Sequence, residues 1–184
     1  MKVVVLDRDG VINHDSDNYI KSAEEWLPID GSIDAIATLS KSGYQVMVAT
    51  NQSGLGRNYF DEYALAKMHT KLCTMVEEAG GIVDGIFYCP HTPDQNCECR
   101  KPKTGLLKQI ESEFSCSLSG SCFIGDSYGD IQAALAFGCE PILVRTGKGL
   151  ITEQRIQKEG LSNISIFDNL ASAVLEKLVV HDNV

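Results

Sequence analysis

Several features that mark specialised protein classes are scarce in this chain. Lys and Arg number only 16 against 25 Asp and Glu among 184 residues, and the formal net charge is −9. This balance argues against a basic surface for nucleic acid. No apolar run approaches the roughly 18 residues that span a bilayer, and the first residues show no secretory pattern. We therefore expect no nucleic-acid or membrane partner, and a cytoplasmic location.

Internal repeats, low-complexity tracts and linkers are absent as well. Hydrophobic residues make up 43 % of the chain and charged residues 22 %, which is typical of an ordinary globular protein. A chain of this length suits one domain with a well-filled core. We expect a single domain over residues 1–184 that acts as a monomer, with residues 181–184 frayed.

An apolar run near the N-terminus ends in two carboxylates and a glycine. Residues 3–6 are all apolar, and Asp7, Asp9 and Gly10 follow them. Such a run predicts a strand buried on both faces of a parallel sheet. Acids one residue apart on a strand point to the same side, where a hard cation such as Mg²⁺ would neutralise them. A solvated pair of acids in a turn is the alternative.

Polar residues also follow two later apolar runs. Residues 44–49 predict the second strand, and Thr50-Asn51-Gln52-Ser53-Gly54 after it could donate hydrogen bonds to phosphate or simply form a capped turn. Residues 121–125 predict the fourth strand, and Asp126 after it is a natural third acid for a metal. Ser127 and Asp130 fit a capping box, so whether Asp130 also supports the metal site stays open.

A cluster of three cysteines and one histidine occupies eleven residues. The pattern C-x-H-x₅-C-x-C places four potential metal ligands in one loop: Cys89, His91, Cys97 and Cys99. Three thiolates and one imidazole form a typical tetrahedral zinc set, whereas chance clustering or a redox pair is the alternative. Because the protein would fill all four positions, we expect the zinc to be structural.

Two cations follow this zinc loop, which we place at residues 89–101. Arg100 and Lys101 would be directed by the folded loop toward the rim of the sheet. The alternative is a solvated basic pair before the next helix. Further strands are predicted at 83–88, 141–144 and 164–167, with amphipathic helical segments between strands. This alternation predicts an α/β fold with a doubly wound, mostly parallel sheet and helices on both faces.

These segments together resemble the haloacid dehalogenase superfamily of phosphatases. Its first motif, D-x-D-G-[TV], matches residues 7–11, with Val11 where Thr is commoner. The resemblance implies a Rossmann-like fold without a separate cap domain. It also implies that Asp7 is the nucleophile and Asp9 the general acid/base, and that Thr50 and Lys101 hold the transferring phosphoryl group. The carboxylates of Asp7 and Asp126 and the main-chain carbonyl of Asp9 would bind Mg²⁺.

Within the superfamily, the zinc loop and the segments 50–54, 100–102 and 144–149 resemble the heptose bisphosphate phosphatases. That family removes one phosphate from a sugar bisphosphate in the synthesis of activated (ADP- or GDP-linked) heptose. A histidinol-phosphate phosphatase, another small-metabolite phosphatase and a non-enzymatic zinc module are the alternatives. The resemblance implies that eight residues contact the substrate: Arg8, Asp15, Tyr19, Asn51, Gln52, Ser53, Arg100 and Ser127.

Overall fold

The computed structural model describes residues 2–179, so residues 181–184, which we expected to fray, lie outside the described part. One six-stranded sheet forms the centre, and every pair of neighbouring strands is parallel. In chain order the strands are Lys2–Leu6 (β1), Tyr44–Asn51 (β2), Gly85–Cys89 (β3), Cys122–Gly125 (β4), Glu140–Val144 (β5) and Ser165–Phe167 (β6). Their spatial order is β3-β2-β1-β4-β5-β6.

Helices cover both faces of this sheet. They are Ser32–Lys41 (α1), Ser53–Gly56 (α2), Glu62–Glu78 (α3), Gly105–Phe114 (α4), Tyr128–Phe137 (α5), Gly149–Lys158 (α6) and Leu170–Ala173 (α7). Residues of α1, α3 and α7 pack into one apolar cluster, and residues of α4 and α5 pack into a second cluster. The α/β fold with a doubly wound parallel sheet is thus confirmed.

Strand β1 shows why an unbroken apolar run was needed. Val4 and Leu6 belong to the first cluster, whereas Val3 and Val5 belong to the second, and all four are buried. Successive side chains of a strand alternate between the two faces. Because helices cover both faces, every position in the strand has to be apolar.

The topology brings the ends of β1 and β4 together. The chain adds β2 and β3 on one side of β1 and β4 on the other. In open α/β sheets, ligands bind outside the carboxyl ends of the strands at such a switch point. The backbone N–H of Asp7 donates to the carbonyl of Ile124, 2.9 Å away, which aligns the two strand ends. Asp7 and Asp126 therefore leave the sheet side by side.

Two elements differ from the sequence prediction. Strand β2 continues to Asn51 because β3 pairs with it as far as Cys89, so Thr50 lies within the strand. The last helix, α7, is α-helical only to Ala173, and the chain continues as a π-helical turn, Val174–Leu178. Among residues 2–179, no helix is long and apolar enough to cross a membrane.

Candidate active site

Three groups from distant parts of the chain form the floor of the site. The ammonium group of Lys101 lies 2.9 Å from Oδ1 of Asp7 and 2.7 Å from Oδ1 of Asp130. It also donates to the carbonyl oxygen of Ala49, at 2.7 Å. Burial alone would lower the pKa of Lys101, but the two carboxylates outweigh it and raise the pKa above its usual value. Lys101 is therefore a fixed cation beside Asp7.

Asp130 forms the helix cap and also contacts the lysine of the site. Its Oδ2 accepts hydrogen bonds from the backbone N–H and the hydroxyl of Ser127, at 3.0 and 2.7 Å. This is the expected capping box at the start of α5. Its other oxygen pairs with Lys101. The helix cap thus also holds the site's lysine in position.

Asp126 is enclosed by two glycines. A Cβ atom at Gly10 or at Gly147 would lie only 2.2 Å from Oδ2 of Asp126, and both glycines have positive φ. The backbone N–H of Lys148 donates to the same oxygen at 2.7 Å. The loop after β1 and the loop after β5 therefore close around this carboxylate, and only glycine fits at the two contacts.

The three carboxylates at the end of the sheet fit a divalent cation. One oxygen from each of Asp7, Asp126 and Asp130 lies within 4.8 Å of the others. Burial raises the pKa of Asp7 to about 7 and that of Asp126 to about 8, and repulsion among the acids adds to both shifts. Lys101 lowers the pKa of Asp7 but does not cancel these combined effects. An all-oxygen donor set with excess negative charge suits Mg²⁺.

Asp9 differs from these acids because hydrogen-bond donors surround it. Arg8 approaches both of its oxygens, and the side-chain amides of Asn13 and Gln52 donate to it at 2.8 and 2.7 Å. Burial would raise the pKa of Asp9, but Arg8 and the two amides together lower it. The pKa of Asp9 is therefore lowered, whereas burial and neighbouring carboxylates raise those of Asp7 and Asp126.

The side chains of residues 50–52, at the end of β2, bind mainly to other residues of the site, which they support. Gln52 is buried and links Asp9 to the hydroxyl of Thr50, at 2.9 Å. The side-chain amide of Asn51 exchanges two hydrogen bonds with the backbone of Lys101, at 3.0 and 3.1 Å. Because this pairing fixes the Lys101 backbone to β2, the sheet itself sets the position of the lysine.

A cleft of about 400 Å³ opens above these groups. Its walls bring together all the predicted catalytic and Mg²⁺-binding side chains and all but one of the predicted substrate contacts: Asp7, Asp9, Asp15, Tyr19, Thr50, Asn51, Gln52, Ser53, Arg100, Lys101, Asp126 and Ser127. Lys148 also lines the cleft, and its ammonium group pairs with Asp15 at 3.2 Å. No role for Lys148 was predicted from the sequence, although its loop follows a strand at the same edge.

Arg8 is the predicted substrate contact that the structure places outside the cleft lining. Its side chain is fully buried, and its guanidinium group contacts Asp9 and His69. Residues that alternate along a strand point to opposite sides. The Arg8 side chain therefore leaves the backbone on the side opposite to Asp7 and Asp9. It is long enough for its guanidinium group to contact the Asp9 carboxylate.

The cysteines and the histidine of the zinc loop converge as the spacing predicted. The three Sγ atoms of Cys89, Cys97 and Cys99 lie 3.1 to 3.5 Å apart, and Nδ1 of His91 lies 3.3 and 3.6 Å from two of them. Ligands about 2.3 Å from a tetrahedral zinc would be about 3.8 Å apart. The observed cluster is slightly tighter than this and has the donor set that zinc prefers, so its residues fit a structural zinc ion.

Comparison with known proteins agrees with this geometry. Residues 98–173 match the family model described as HAD-hydrolase-like. The chain is 53 % identical over 96 % of its length to D-glycero-beta-D-manno-heptose-1,7-bisphosphate 7-phosphatase of Pseudomonas putida, covering 99 % of that protein. It is 54 % identical over 92 % of its length to the protein of the same name from Pseudomonas aeruginosa, covering 94 % of it. The chain belongs to this phosphatase family.

A solved structure of the family resembles the whole chain. The D,D-heptose 1,7-bisphosphate phosphatase of Bordetella bronchiseptica, complexed with magnesium and phosphate, superposes with a TM-score of 0.90 at 43 % identity. The match covers 96 % of this chain and 97 % of that one. The family is thus one of phosphatases with a haloacid dehalogenase-like fold, and Mg²⁺ is the metal that one member contains with phosphate.

Proposed function

We propose that the chain is a Mg²⁺-dependent phosphatase that removes the 7-phosphate of D-glycero-beta-D-manno-heptose 1,7-bisphosphate. The observation that carries this proposal is the cleft in which Asp7, Asp9, Asp126 and Lys101 meet. The relatives that share most of the chain have this substrate in their name. The name of these relatives supports heptose bisphosphate as the substrate, and the residues of the cleft support phosphate hydrolysis as the reaction.

Asp7 supplies the nucleophile. Its carboxylate attacks the phosphorus atom, forming an aspartyl-phosphate while the bond to the sugar oxygen breaks. Lys101, 2.9 Å from Oδ1 of Asp7, is placed to donate to the phosphoryl oxygens as charge spreads over them. The Thr50 hydroxyl lines the same part of the cleft as a second donor. Bound Mg²⁺, held by Asp7, Asp126 and the main-chain carbonyl of Asp9, would supply charge shielding between nucleophile and phosphate.

Asp9 handles the protons. The negative charge of the bound phosphate favours protonation of Asp9, which gives this proton to the departing sugar oxygen and then takes one back from the water that hydrolyses the aspartyl-phosphate. Its side chain is 21 % exposed, so a leaving group and a water can reach it from the cleft. The donors around Asp9 hold the carboxylate in place during both steps.

Arg100 is placed to bind the phosphate that is kept. It lines the cleft beside Lys101, and its guanidinium group lies 3.4 Å from the carbonyl oxygen of His91 in the zinc loop. A planar guanidinium group can hold a non-reacting phosphate with two hydrogen bonds. The structural zinc would therefore act on catalysis by fixing the segment that carries both cations.

Two further properties belong to this proposal. We propose that the protein works as a monomer in the cytoplasm, and its seven free cysteines suit a reducing compartment. Histidinol phosphate is the competing substrate, because a histidinol-phosphate phosphatase is the first alternative indicated by the sequence.

A substrate panel tests the proposed function. Phosphate release is measured side by side for both anomers of heptose 1,7-bisphosphate, for histidinol phosphate and for p-nitrophenyl phosphate. We expect the β-anomer to have the highest kcat/KM, with loss of the 7-phosphate shown by ³¹P NMR of the product. A higher kcat/KM for histidinol phosphate, or loss of the 1-phosphate, would contradict the proposal.

A further inference from the structure

The buried side chain of Arg8 contacts Asp9 but does not line the cleft. A guanidinium group carries five N–H donors, and a buried donor without a partner is costly. Nε and one terminal nitrogen of Arg8 contact the carboxylate of Asp9 at 3.0 to 3.2 Å. The other terminal nitrogen points away from Asp9 and requires a different acceptor.

His69 supplies this acceptor. Its Nε2 lies 3.2 Å from the second terminal nitrogen of Arg8, and among residues 2–179 no other hydrogen bond is found for that nitrogen. Because a guanidinium group can only donate, Nε2 must accept. His69 is then neutral, with its proton on Nδ1. Burial lowers its pKa to about 4, and the charge of Arg8 adds to this effect.

His69 is itself held firmly. It lies on the 17-residue helix α3, which packs against the sheet through buried residues such as Leu65 and Leu72. Its ring contacts that of Tyr88 on β3, with the centroids 5.9 Å apart. The position of Nε2 is thus set by a long helix and by a strand, outside the cleft.

Arg8 in turn restricts Asp9. Oδ1 of Asp9 accepts from Nε of Arg8, from its terminal nitrogen and from Asn13, whereas Oδ2 accepts from Arg8 and Gln52. Arg8 is the one cation among these donors and the one that contacts both oxygens. Rotation of the carboxylate would break its forked interaction, and such charge-assisted bonds are stronger than those of neutral amides.

We propose that His69 is a positioning residue that fixes Arg8 and, through it, holds the Asp9 carboxylate in the orientation that exchanges protons with the leaving group and water. The proposal rests on the proposed function only in giving Asp9 the role of general acid/base. It concerns proton transfer to the leaving oxygen, whichever sugar phosphate the enzyme uses.

The experiment compares substrates that differ in their need for an acid. In the Mg²⁺-loaded enzyme, single-turnover phosphorylation of Asp7 is measured with heptose 1,7-bisphosphate and with 2,4-dinitrophenyl phosphate, whose leaving group departs without a proton. His69→Leu removes the acceptor, and His69→Gln keeps an acceptor at similar reach. Val76→Ala, which creates a cavity on the same face of α3, serves as a control for lost packing.

We expect His69→Leu to slow phosphorylation by the sugar phosphate about tenfold or more, given that a general acid contributes about 10²–10⁴-fold. Its burst rate with the dinitrophenyl ester should stay within about threefold, and His69→Gln should recover most of the loss. Val76→Ala should change both rates by the same factor. Equal losses on the two substrates for His69→Leu, or no loss on either, would overturn the proposal.

A measurement on the unmodified protein covers the case in which His69→Leu fails to fold. In ¹⁵N-histidine-labelled enzyme, the His69 signals, assigned by their absence in His69→Gln, should show an unprotonated Nε2 and a protonated Nδ1. A proton on Nε2 would overturn the proposal. If the wild-type enzyme released no phosphate from heptose bisphosphate, the proposed function would fail, whereas the His69 test would proceed with glycerol phosphate as the alkyl ester.

Discussion

The carboxylate cleft and the zinc loop both gather titratable groups, but they are built in different ways. The cleft takes Asp7 from the end of β1, Lys101 from the segment before α4, and Asp126 and Asp130 from the end of β4 and the start of α5. The zinc loop takes its four ligands from eleven consecutive residues, 89–99. One is a product of the sheet's topology, and the other is a product of local chain geometry.

This difference has an energetic consequence. In the cleft, rigid strands hold like charges together in a buried site, and burial together with the added repulsion raises the pKa values of Asp7 and Asp126. In the loop, the ligands follow a chain bend that includes two prolines, so fewer conformations are lost when the loop closes. A metal thus relieves repulsion in the cleft, whereas in the loop it holds a local fold together. Lys101 connects the two regions.

Removing the nucleophile should abolish the chemistry of the cleft and leave the zinc loop intact. We expect it to have the largest effect on activity. Asp7→Asn deletes the attacking oxygen, and we expect turnover to fall below about one per cent because no covalent step remains. Circular dichroism and zinc content should be unchanged, since the loop does not depend on Asp7. Asp34→Asn, at an exposed carboxylate of α1, is the matched control. More than a few per cent of activity in Asp7→Asn would contradict the covalent mechanism.

Breaking the zinc loop should damage both regions. Cys97→Ser should lose the one zinc ion per chain, and activity should fall about 10–100-fold because Arg100 and Lys101 lose their support. Added Mg²⁺ should not restore it. Cys73→Ser, at a free thiol on α3, should keep both zinc and activity. Metal analysis of protein purified without chelator decides this point, since a protein without zinc would refute the structural role.

The two adjacent cations sharpen the comparison, because only one of them belongs to the floor of the cleft. Lys101→Ala should lower kcat/KM on a sugar bisphosphate and on a monophosphate ester alike, since both carry the transferring phosphate. Arg100→Ala should cost about tenfold on the bisphosphate, as expected for a lost charged hydrogen bond, and little on the monophosphate. Lys103→Ala, at a half-exposed cation paired with Glu98, is the control. Equal losses on both substrates for Arg100→Ala would remove its role in recognition.

The pH dependence of stability should show the smallest effect. The folded protein raises the pKa of Asp7 to about 7 and of Asp126 to about 8, so it favours their protonated forms relative to the unfolded chain. Stability from these groups is complete below the unfolded pKa and is lost as pH rises through the folded values. In zinc-loaded protein without Mg²⁺, Tm should therefore fall by a few degrees between pH 6.5 and 8.5.

Two controls complete this measurement. Saturating Mg²⁺ should remove the fall in Tm, because the cation stabilises the charged carboxylates, and Asp126→Asn should reduce it. The window stays above pH 6.5 because the lowered pKa of His69 makes an opposite contribution below that value. A Tm that rises with pH in the absence of Mg²⁺ would show that repulsion in the cleft does not control stability.

Much of the site was predictable because Asp7 and Asp126 directly follow strands and Thr50 lies near the end of one. In a parallel sheet the carboxyl ends of all strands lie at one edge, so Asp7, Thr50 and Asp126 had to meet there. Arg8 was assigned to the substrate because the family resemblance implied it. Successive side chains of a strand point to opposite sides. If Asp7 and Asp9 face the cleft, Arg8 between them is therefore expected to face the interior.

The amino-acid sequence by itself determined the buried strand, the acids at its end and the zinc ligands, because these depend on neighbours within a few residues. Only the tertiary structure decided which charged groups lie in contact and which are enclosed by other residues. Lys101 meets Asp130, Asp126 is enclosed by Gly10 and Gly147, and His69 meets Arg8 only after helices pack on both faces. Pairings between distant segments depend on the order of the strands and the packing of helices on them, which no local spacing encodes.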